Sequence, residues 1–185
     1  MSDKNLSFLD EVSARPGGED IRSCIQCGIC GGSCPMADRM EHTPRQVIAM
    51  VRAGMRDEVL SGSSQWQCLS CYLCSARCPR KVKPAEIMHV LECMAIDEGR
   101  VSKKTRTPIM YRSFVDTIKA NGRIYELGFM IRYYLRTNLF AALRLTGMAL
   151  NMLSRGRIPL RAHKIKGKNE LNLILDKARS LGGRQ

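Results

Sequence analysis

The sequence is poor in the features that most enzymes and exported proteins need. Of its 185 residues only 5% are aromatic, and its three histidines show no metal-ligand spacing. It contains no P-loop, dinucleotide fingerprint, nucleophile elbow or paired-carboxylate arrangement. The first twenty residues lack the apolar segment of a secretory signal, and no apolar run reaches the roughly 18 residues of a membrane span. We therefore expect a cytoplasmic chain without an active site of its own.

Acidic residues are scarce in the second half of the chain. Residues 1–99 hold 11 basic and 13 acidic side chains, a balance of −2. Residues 100–185 hold 19 basic and 4 acidic ones, a balance of +15, which together with −2 gives the net charge of +13. Such an excess indicates an acidic protein partner, an anionic membrane surface or nucleic acid. Charge alone does not choose among these three.

The nine cysteines are the outlier of the composition. Eight of them form two copies of the pattern C-x2-C-x2-C-x3-C-P, over residues 24–35 and 68–79, at a spacing of 44 residues. Because cytoplasmic thiols stay reduced, metal binding is favoured over disulfides. This spacing is typical of [4Fe–4S] clusters, and the repeat predicts a pseudo-symmetric domain. Cys93 lies outside both runs and is expected to be a half-buried apolar residue.

The two runs predict two clusters with crossed ligands. In two-cluster ferredoxins the fourth cysteine of each run binds the cluster of the other run. On this rule cluster I is held by Cys24, Cys27, Cys30 and Cys78, and cluster II by Cys68, Cys71, Cys74 and Cys34. Every iron then has a cysteine ligand, so no coordination site remains for a substrate. The expected role is one-electron transfer without catalysis.

The surroundings of the two predicted clusters differ. Three glycines in the first run allow backbone N–H groups to approach cluster I, whereas the second run offers apolar cover at Leu69, Tyr72 and Leu73. The basic residues around Cys78 are Arg77, Arg80, Lys81 and Lys83. Because N–H donors and positive charge favour the reduced state, cluster I is expected to have the higher reduction potential. A basic face that is merely solvated is the alternative.

Apolar residues between and after the runs recur at helical spacing, and no stretch of residues 1–99 alternates as a strand would. Pro44 and Pro84 are typical first residues of helices. The tail contains four further helical patterns, over residues 107–121, 124–136, 138–153 and 169–181. The chain is therefore predicted to be all-α, with a cluster domain over residues 1–99 and a basic helical extension over residues 100–185.

These features resemble the C subunit of heterodisulfide reductase. The resemblance rests on the two CP-terminated runs, their 44-residue period and the linking segment 42–84, and it is strongest from about Ser23 to Gly99. It implies an α-helical ferredoxin fold, which the cluster domain of succinate dehydrogenase shares. It also implies a relay of electrons between a flavin-bearing A subunit and a B subunit that cleaves or forms a disulfide. The tail RGRIPLRAHKIKGKNE resembles the bacterial type more than the methanogen type, which implies a role in sulfur oxidation.

The extension is expected to dock the catalytic partner. It has the excess of positive charge, it contains no cysteine of either run, and its helices carry apolar stripes. One such stripe consists of Ile124, Leu127, Ile131 and Leu135, three or four residues apart. The alternative is that these helices only complete the core of this chain.

Two other functions stay open at this point. The first is the cluster subunit of a membrane-bound, quinone-linked reductase, with the basic tail facing lipid or a cytochrome subunit. The apolar run NLFAALRLTGMALNML would suit it, but Arg144 interrupts that run. The second is a zinc-containing, basic nucleic-acid-binding protein, although the tail has only Tyr133 and Tyr134 as an aromatic pair for stacking. About eight irons and eight sulfides per chain would separate the cluster proteins from the zinc protein.

Overall fold

The computed structural model of the chain describes residues 7–102, 105–144, 146–157, 159 and 162–180, with the backbone alone at residues 139 and 179. Within these ranges every regular element is a helix and no strand occurs, which confirms the all-α prediction. The chain divides into two compact units, with the boundary along the sequence between Thr105 and Arg106, a few residues after the boundary at Gly99 that the sequence suggests. The apolar pattern also predicts a short helix from Asn5 to Ala14; its first two residues, and Leu181 at the end of the last predicted helix, lie outside the described residues.

The first unit is built from short helices around one long one. Its α-helices are α1 (Phe8–Ser13), α2 (Ile29–Gly32), α3 (Pro44–Arg52), α4 (Arg56–Ser61), α5 (Leu73–Ala76) and α6 (Pro84–Asp97). Two 3₁₀ helices, Glu19–Ser23 and Gln65–Gln67, directly precede the two cysteine runs. The sequence patterns predict α3, α4 and α6, whereas the one-turn helices α2 and α5 carry no apolar stripe long enough to reveal them.

The helices that follow the cysteine runs begin at prolines, as predicted. Thr43 precedes Pro44 and forms a capping box, in which its N–H donates to Oε1 of Gln46 over 2.8 Å. This bond satisfies one of the amide groups that a helix start leaves without a partner. Helix α6 begins at Pro84, whose missing N–H costs nothing in the first turn.

The core of the first unit lies around α6. Leu91, Met94 and Ala95 are fully buried on this helix. Ile87, Met88 and Val90 of α6 belong to the same core, and the rest of the unit packs further apolar side chains against it, namely Phe8, Val12, Ile21, Val47, Ile48, Val51, Val59, Leu60 and Val82. Burial of each such side chain contributes about 1.5–3 kcal/mol of transfer free energy. Cys24, Cys68 and Cys78 are partly buried against this same core, so the packing holds the starts of both runs in place.

The second unit consists of helices with little apolar core. They are α7 (Thr107–Asn121), α8 (Glu126–Thr137), α9 (Leu139–Arg144), α10 (Thr146–Ser154) and α11 (Lys168–Ser180). The fully buried side chains of α7 are polar: Ser113, Thr117 and Asn121. Thr117 Oγ1 donates to the carbonyl of Ser113 over 2.8 Å, and Asn121 Nδ2 donates to that of Thr117 over 3.1 Å. These three residues recur every fourth position and so lie on one face of α7.

Contacts across the second unit join α7 to α8 and α11. Arg136 of α8 donates to Asp116 over 2.7 Å and to the Ser113 hydroxyl over 3.2 Å. The α7 helix ends at Gly122, where φ is +78° and an added Cβ would lie 2.2 Å from a side-chain atom of Ile165. Glycine is therefore required at this position both by conformation and by space.

Large apolar side chains of the second unit remain exposed. Of the predicted stripe, Ile131 and Leu135 are 51% and 67% exposed, whereas Ile124 and Leu127 are partly buried. Phe140 on α9 is 79% exposed. In the described part of the chain no helix is long and apolar enough to cross a membrane.

The packing around α6 yields a stability prediction. Replacing Leu91, which is fully buried, by alanine should lower the free energy of unfolding by about 2–5 kcal/mol, because it leaves a cavity in the core. Ile96 on the same helix is 39% exposed, so Ile96→Ala should cost about 1 kcal/mol or less. Urea unfolding followed by circular dichroism measures both. Equal losses for the two variants would contradict a core centred on α6.

Candidate metal centres

The backbone of the first cysteine run repeats in the second run at a spacing of 44 residues. Cys24 and Cys68 have nearly the same dihedral angles, with φ of −67° in both and ψ of 121° and 124°. In the one-turn helices, the N–H of Gly31 donates to the Gly28 carbonyl over 3.0 Å, and that of Ser75 donates to the Tyr72 carbonyl over 3.0 Å. The internal repeat of the sequence is therefore a repeat of conformation as well.

Each run contains two residues in the left-handed region, and only one of these four is a glycine. Gln26 and Gly28 have φ of +58° and +88°, and the equivalent Ser70 and Tyr72 have +49° and +58°. A side chain in this region costs about 1–2 kcal/mol. The sequence predicts a close backbone approach at glycines, but Gln26, Ser70 and Tyr72 reach the same conformation with side chains.

These left-handed residues turn amide groups toward the cysteine sulfurs. The N–H of Gln26 donates to Sγ of Cys24 over 3.5 Å. Successive amides arranged in this way form a concave site for an anion, as around iron–sulfur clusters. The conformational cost of the loops is therefore offset only when a negatively charged group occupies the concave side.

The structure brings the eight predicted ligands together in two groups of four. The first cavity is lined by Cys24, Cys27, Cys30 and Cys78. The second cavity is lined by Cys34, Cys68, Cys71 and Cys74. Each cavity thus receives three cysteines from one run and the last cysteine of the other. Pro84 lines both cavities, so the two cavities adjoin at this residue.

Three thiols of the two cavities have a raised pKa and are hard to ionise without a metal: Cys30, Cys68 and Cys74. Burial, followed by the neighbouring thiols of Cys24 and Cys74, raises the pKa of Cys30 to about 11. Burial also raises the pKa values of Cys68 and Cys74. Cys74 lines the second cavity and Cys30 the first, so this influence also shows that the two cavities are close together. A metal centre that supplies positive charge would replace the thiol protons.

One polar atom beside the second cavity lacks a partner. The hydroxyl oxygen of Ser75, directly after Cys74, is buried and forms no hydrogen bond of normal geometry within the described residues, and its nearness to the Cys74 thiol lowers the pKa of that thiol against the larger effect of burial. Buried hydroxyl groups normally find a partner. A sulfur-rich group that accepts hydrogen bonds would provide one, so the donor set of this cavity fits an iron–sulfur cluster.

The arrangement differs from a site for one metal ion. Across the described ranges, no group of three or more histidine, cysteine, aspartate or glutamate side chains converges closely enough to hold a single ion. A cubane binds each of its four thiolates through a different iron, so its ligands stand around a wider cage. Cys93 is partly buried, as predicted, and its sulfur lies 3.9 Å from Nε2 of His89.

One charged residue that lines the first cavity was not predicted from the sequence. Arg45 directly follows Pro44, and its side chain extends over Gly28, where an added Cβ would lie 3.8 Å from Arg45 Cδ. Arg80, which the sequence places near Cys78, lines the same cavity. A comparison of the starts of α3 and α6, both at proline, would have drawn attention to Arg45.

Comparison with known proteins agrees with this geometry. A family model described as a 4Fe-4S dicluster domain matches residues 20–82, a range that contains all eight cysteines of the runs. The second iron–sulfur C subunit of the CoB–CoM heterodisulfide reductase of Methanocaldococcus jannaschii is 36% identical over 135 residues, which are 69% of this chain and 72% of that protein. The chain belongs to the family of heterodisulfide reductase C subunits. Its cofactors are two [4Fe–4S] clusters.

Other members of this family match a shorter region. The C subunit of the H(2):CoB-CoM heterodisulfide,ferredoxin reductase of Methanothermobacter thermautotrophicus is 38% identical over 92 residues, 50% of this chain and 49% of that protein. The C subunit of the Ferredoxin:CoB-CoM heterodisulfide reductase of Methanosarcina acetivorans is 47% identical over 102 residues, 54% of this chain and 41% of that protein. This chain therefore spans about half the length of these two relatives.

Removal of iron should unfold the first unit in part. Each cavity joins cysteines from runs that are 44 residues apart in the chain, so the binding free energy of the clusters is also folding free energy. Extraction of iron should cost at least a few kcal/mol and lower the thermal midpoint by roughly 10 °C or more. Circular dichroism measures this change, and reconstitution with iron and sulfide is the control. A midpoint that does not change would contradict the coupling.

Proposed function

We propose that this chain is a non-catalytic electron-transfer subunit of a heterodisulfide reductase-like complex. Single electrons would pass through its two clusters between a flavin-containing A subunit and a disulfide-active B subunit. The observation that carries this proposal is the pair of cysteine-lined cavities, which share Pro84 in their linings. Two clusters so close together form a short path for an electron. The relatives are named as C subunits, which supports an assembly with other subunits.

The ligand assignment is part of the proposal. Cluster I would be held by the cysteines that line the first cavity, and cluster II by those that line the second. The grouping in the two cavities supports this crossed assignment because Cys78 lies with the first run and Cys34 with the second. Each cluster then links both halves of the repeat.

Exchange of single cysteines tests the crossed assignment. Cys34→Ser should weaken or remove the spectroscopic signal of cluster II, and Cys78→Ser that of cluster I, because each removes one thiolate of that cluster. Electron paramagnetic resonance of the reduced variants, with iron analysis, measures the loss. Cys93→Ser is the control and should leave both signals, since Cys93 lines neither cavity. If each variant instead lost the cluster of the run that contains the substituted cysteine, the assignment would be wrong.

The relay function predicts what the isolated chain does. With four cysteines on each cluster, no iron offers a position to a substrate. The purified, cluster-loaded chain should therefore accept electrons from a strong reductant and should not turn over disulfides. Absorbance bleaching measures the first property, and release of thiols from a disulfide such as the CoB–CoM heterodisulfide measures the second. Steady thiol release by this chain alone would refute the relay function.

The physiological disulfide is the finer part of the proposal. Several relatives carry the CoB–CoM heterodisulfide in their names. The basic tail of this chain favours the bacterial type of complex, which would work in sulfur oxidation. Genes for A and B subunits beside genes for sulfur carriers would support that setting, and genes for coenzyme M metabolism would contradict it.

The second unit is proposed to dock the catalytic partner. Exposed apolar side chains on α8 to α10 support this proposal: Ile131, Leu135, Phe140, Leu143, Met148 and Leu150 are each more than half exposed. Basic side chains lie among them, for example Arg144. Large apolar side chains that are exposed beside charged ones are typical of protein interfaces.

Truncation tests the docking role. Because the first compact unit ends at Thr105 and has its own core, a chain that stops there should keep both clusters. It should lose co-purification with the B subunit, since the apolar surface of the second unit is gone. Iron content and co-purification measure the two properties. Loss of the clusters on truncation, or an intact complex at high salt, would contradict docking by the second unit.

A further inference from the structure

The pseudo-symmetry of the first unit allows the two cavities to be compared position by position. Arg80 follows the CP pair of the second run, and its equivalent at the 44-residue spacing is Met36. Arg45 follows the first residue of α3, and its equivalent in α6 is Ala85. Arg45 and Arg80 both line the first cavity, whereas Met36 and Ala85 both line the second. At two equivalent positions the first cavity therefore has a cation where the second has an apolar side chain.

The charges of these two arginines are available to a partner. Both side chains are exposed. Neither forms an ion pair with any acidic group in the part of the chain that the structure describes, whereas Arg15, Arg56 and Arg100 each do. An exposed guanidinium without an acidic neighbour exerts its field on whatever approaches the cavity.

Apolar side chains complete the mouth of the first cavity. Ile25 is 59% exposed and Ile29 is 41% exposed, and both line this cavity. A small anion would gain nothing from two exposed isoleucines. An apolar centre with a basic rim fits instead a protein surface that has an apolar centre and an acidic rim.

The mouth of the second cavity has a different character. Leu69 and Tyr72 are 63% and 48% exposed there. None of the residues that line the second cavity carries a charged side chain apart from its cysteines. The hydroxyl of Tyr72 interacts with the carboxylate of Glu86, so an acidic group borders this mouth where two arginines border the first, and the two ends of the path are chemically distinct.

We propose that the first mouth, formed by Ile25, Ile29, Arg45 and Arg80, docks an acidic redox protein that exchanges electrons with cluster I. This inference rests on the proposed electron-transfer function and adds the site and the chemistry of one partner. The arginines would speed the encounter and fix its register, and the isoleucines would exclude water from the contact. If the arginines only balanced the charge of cluster I, the potential of that cluster would respond to their loss while association would not.

The test uses the full-length, cluster-loaded chain with the double exchange Arg45→Gln and Arg80→Gln. The matched control is Arg39→Gln, since Arg39 is exposed and lies between Met36 and Met40, which line the second cavity. The reduced protein gives one electron to a cobalt(III) oxidant, which becomes cobalt(II). Tris(oxalato)cobaltate(III) serves as the anionic oxidant and hexaamminecobalt(III) as the cationic one. Cluster potentials are measured alongside, so that changes in driving force can be separated from changes in encounter.

At low salt, the double variant should react with the anionic oxidant about tenfold more slowly than the wild type does. Its reaction with the cationic oxidant should not be slowed. It should also bind one of the purified A and B subunits about tenfold more weakly, by an amount that shrinks as salt is added. Arg39→Gln should change each value by less than about twofold. These results together would support the docking site.

Three outcomes would overturn the inference. The double variant could bind both subunits as tightly as the wild type while its reaction with the anionic oxidant is slower. The arginines would then have an effect on cluster I alone. The Arg39→Gln control could weaken binding as much as the double variant. The potential of cluster I could account for the whole rate change. If the wild-type chain exchanged electrons with neither subunit, the proposed function itself would be wrong. Electron exchange of the wild type is therefore measured before any variant.

Discussion

The first unit depends on one constraint: the last cysteine of each run lines the cavity of the other run. Cys78 must reach the cavity of the first run and Cys34 that of the second, so neither half can form its cavity alone. The two runs therefore have to lie side by side. The helices that follow them, α3 and α6, begin at Pro44 and Pro84 and pack together in one core. This core is what holds the crossing in register.

The loops of the cysteine runs have unfavourable backbone conformations, and binding of the clusters offsets their free-energy cost. Gln26, Ser70 and Tyr72 hold left-handed backbone angles that side chains avoid, and burial raises the pKa values of the thiols of Cys30, Cys68 and Cys74. Both costs are offset when an anionic cluster accepts the amide hydrogen bonds and iron replaces the thiol protons. The free energy of cluster binding thus compensates for the strain in the loops.

Pseudo-symmetry gives the molecule two similar sites, and departures from it give those sites different linings. The backbone repeats closely, but Arg45 and Arg80 border one cavity while Ala85 and Met36 border the other. A positive charge near a cluster favours its reduced form and also attracts acidic partners. These two sequence differences can therefore affect two properties: which cluster holds the electron, and which partner binds at each cavity.

Local signals in the amino-acid chain are enough to specify the cofactor type and the helical class, because cysteine spacing and apolar periodicity act over short distances. The starts of α3 and α6 follow in the same way, since proline and the residue before it act within one helical turn. The packing of the chain was needed to show that Arg45 joins Arg80 at one cavity, and that Ser113, Thr117 and Asn121 form the buried stripe of α7. Those results depend on which residues distant in sequence pack together, and no local pattern carries that information.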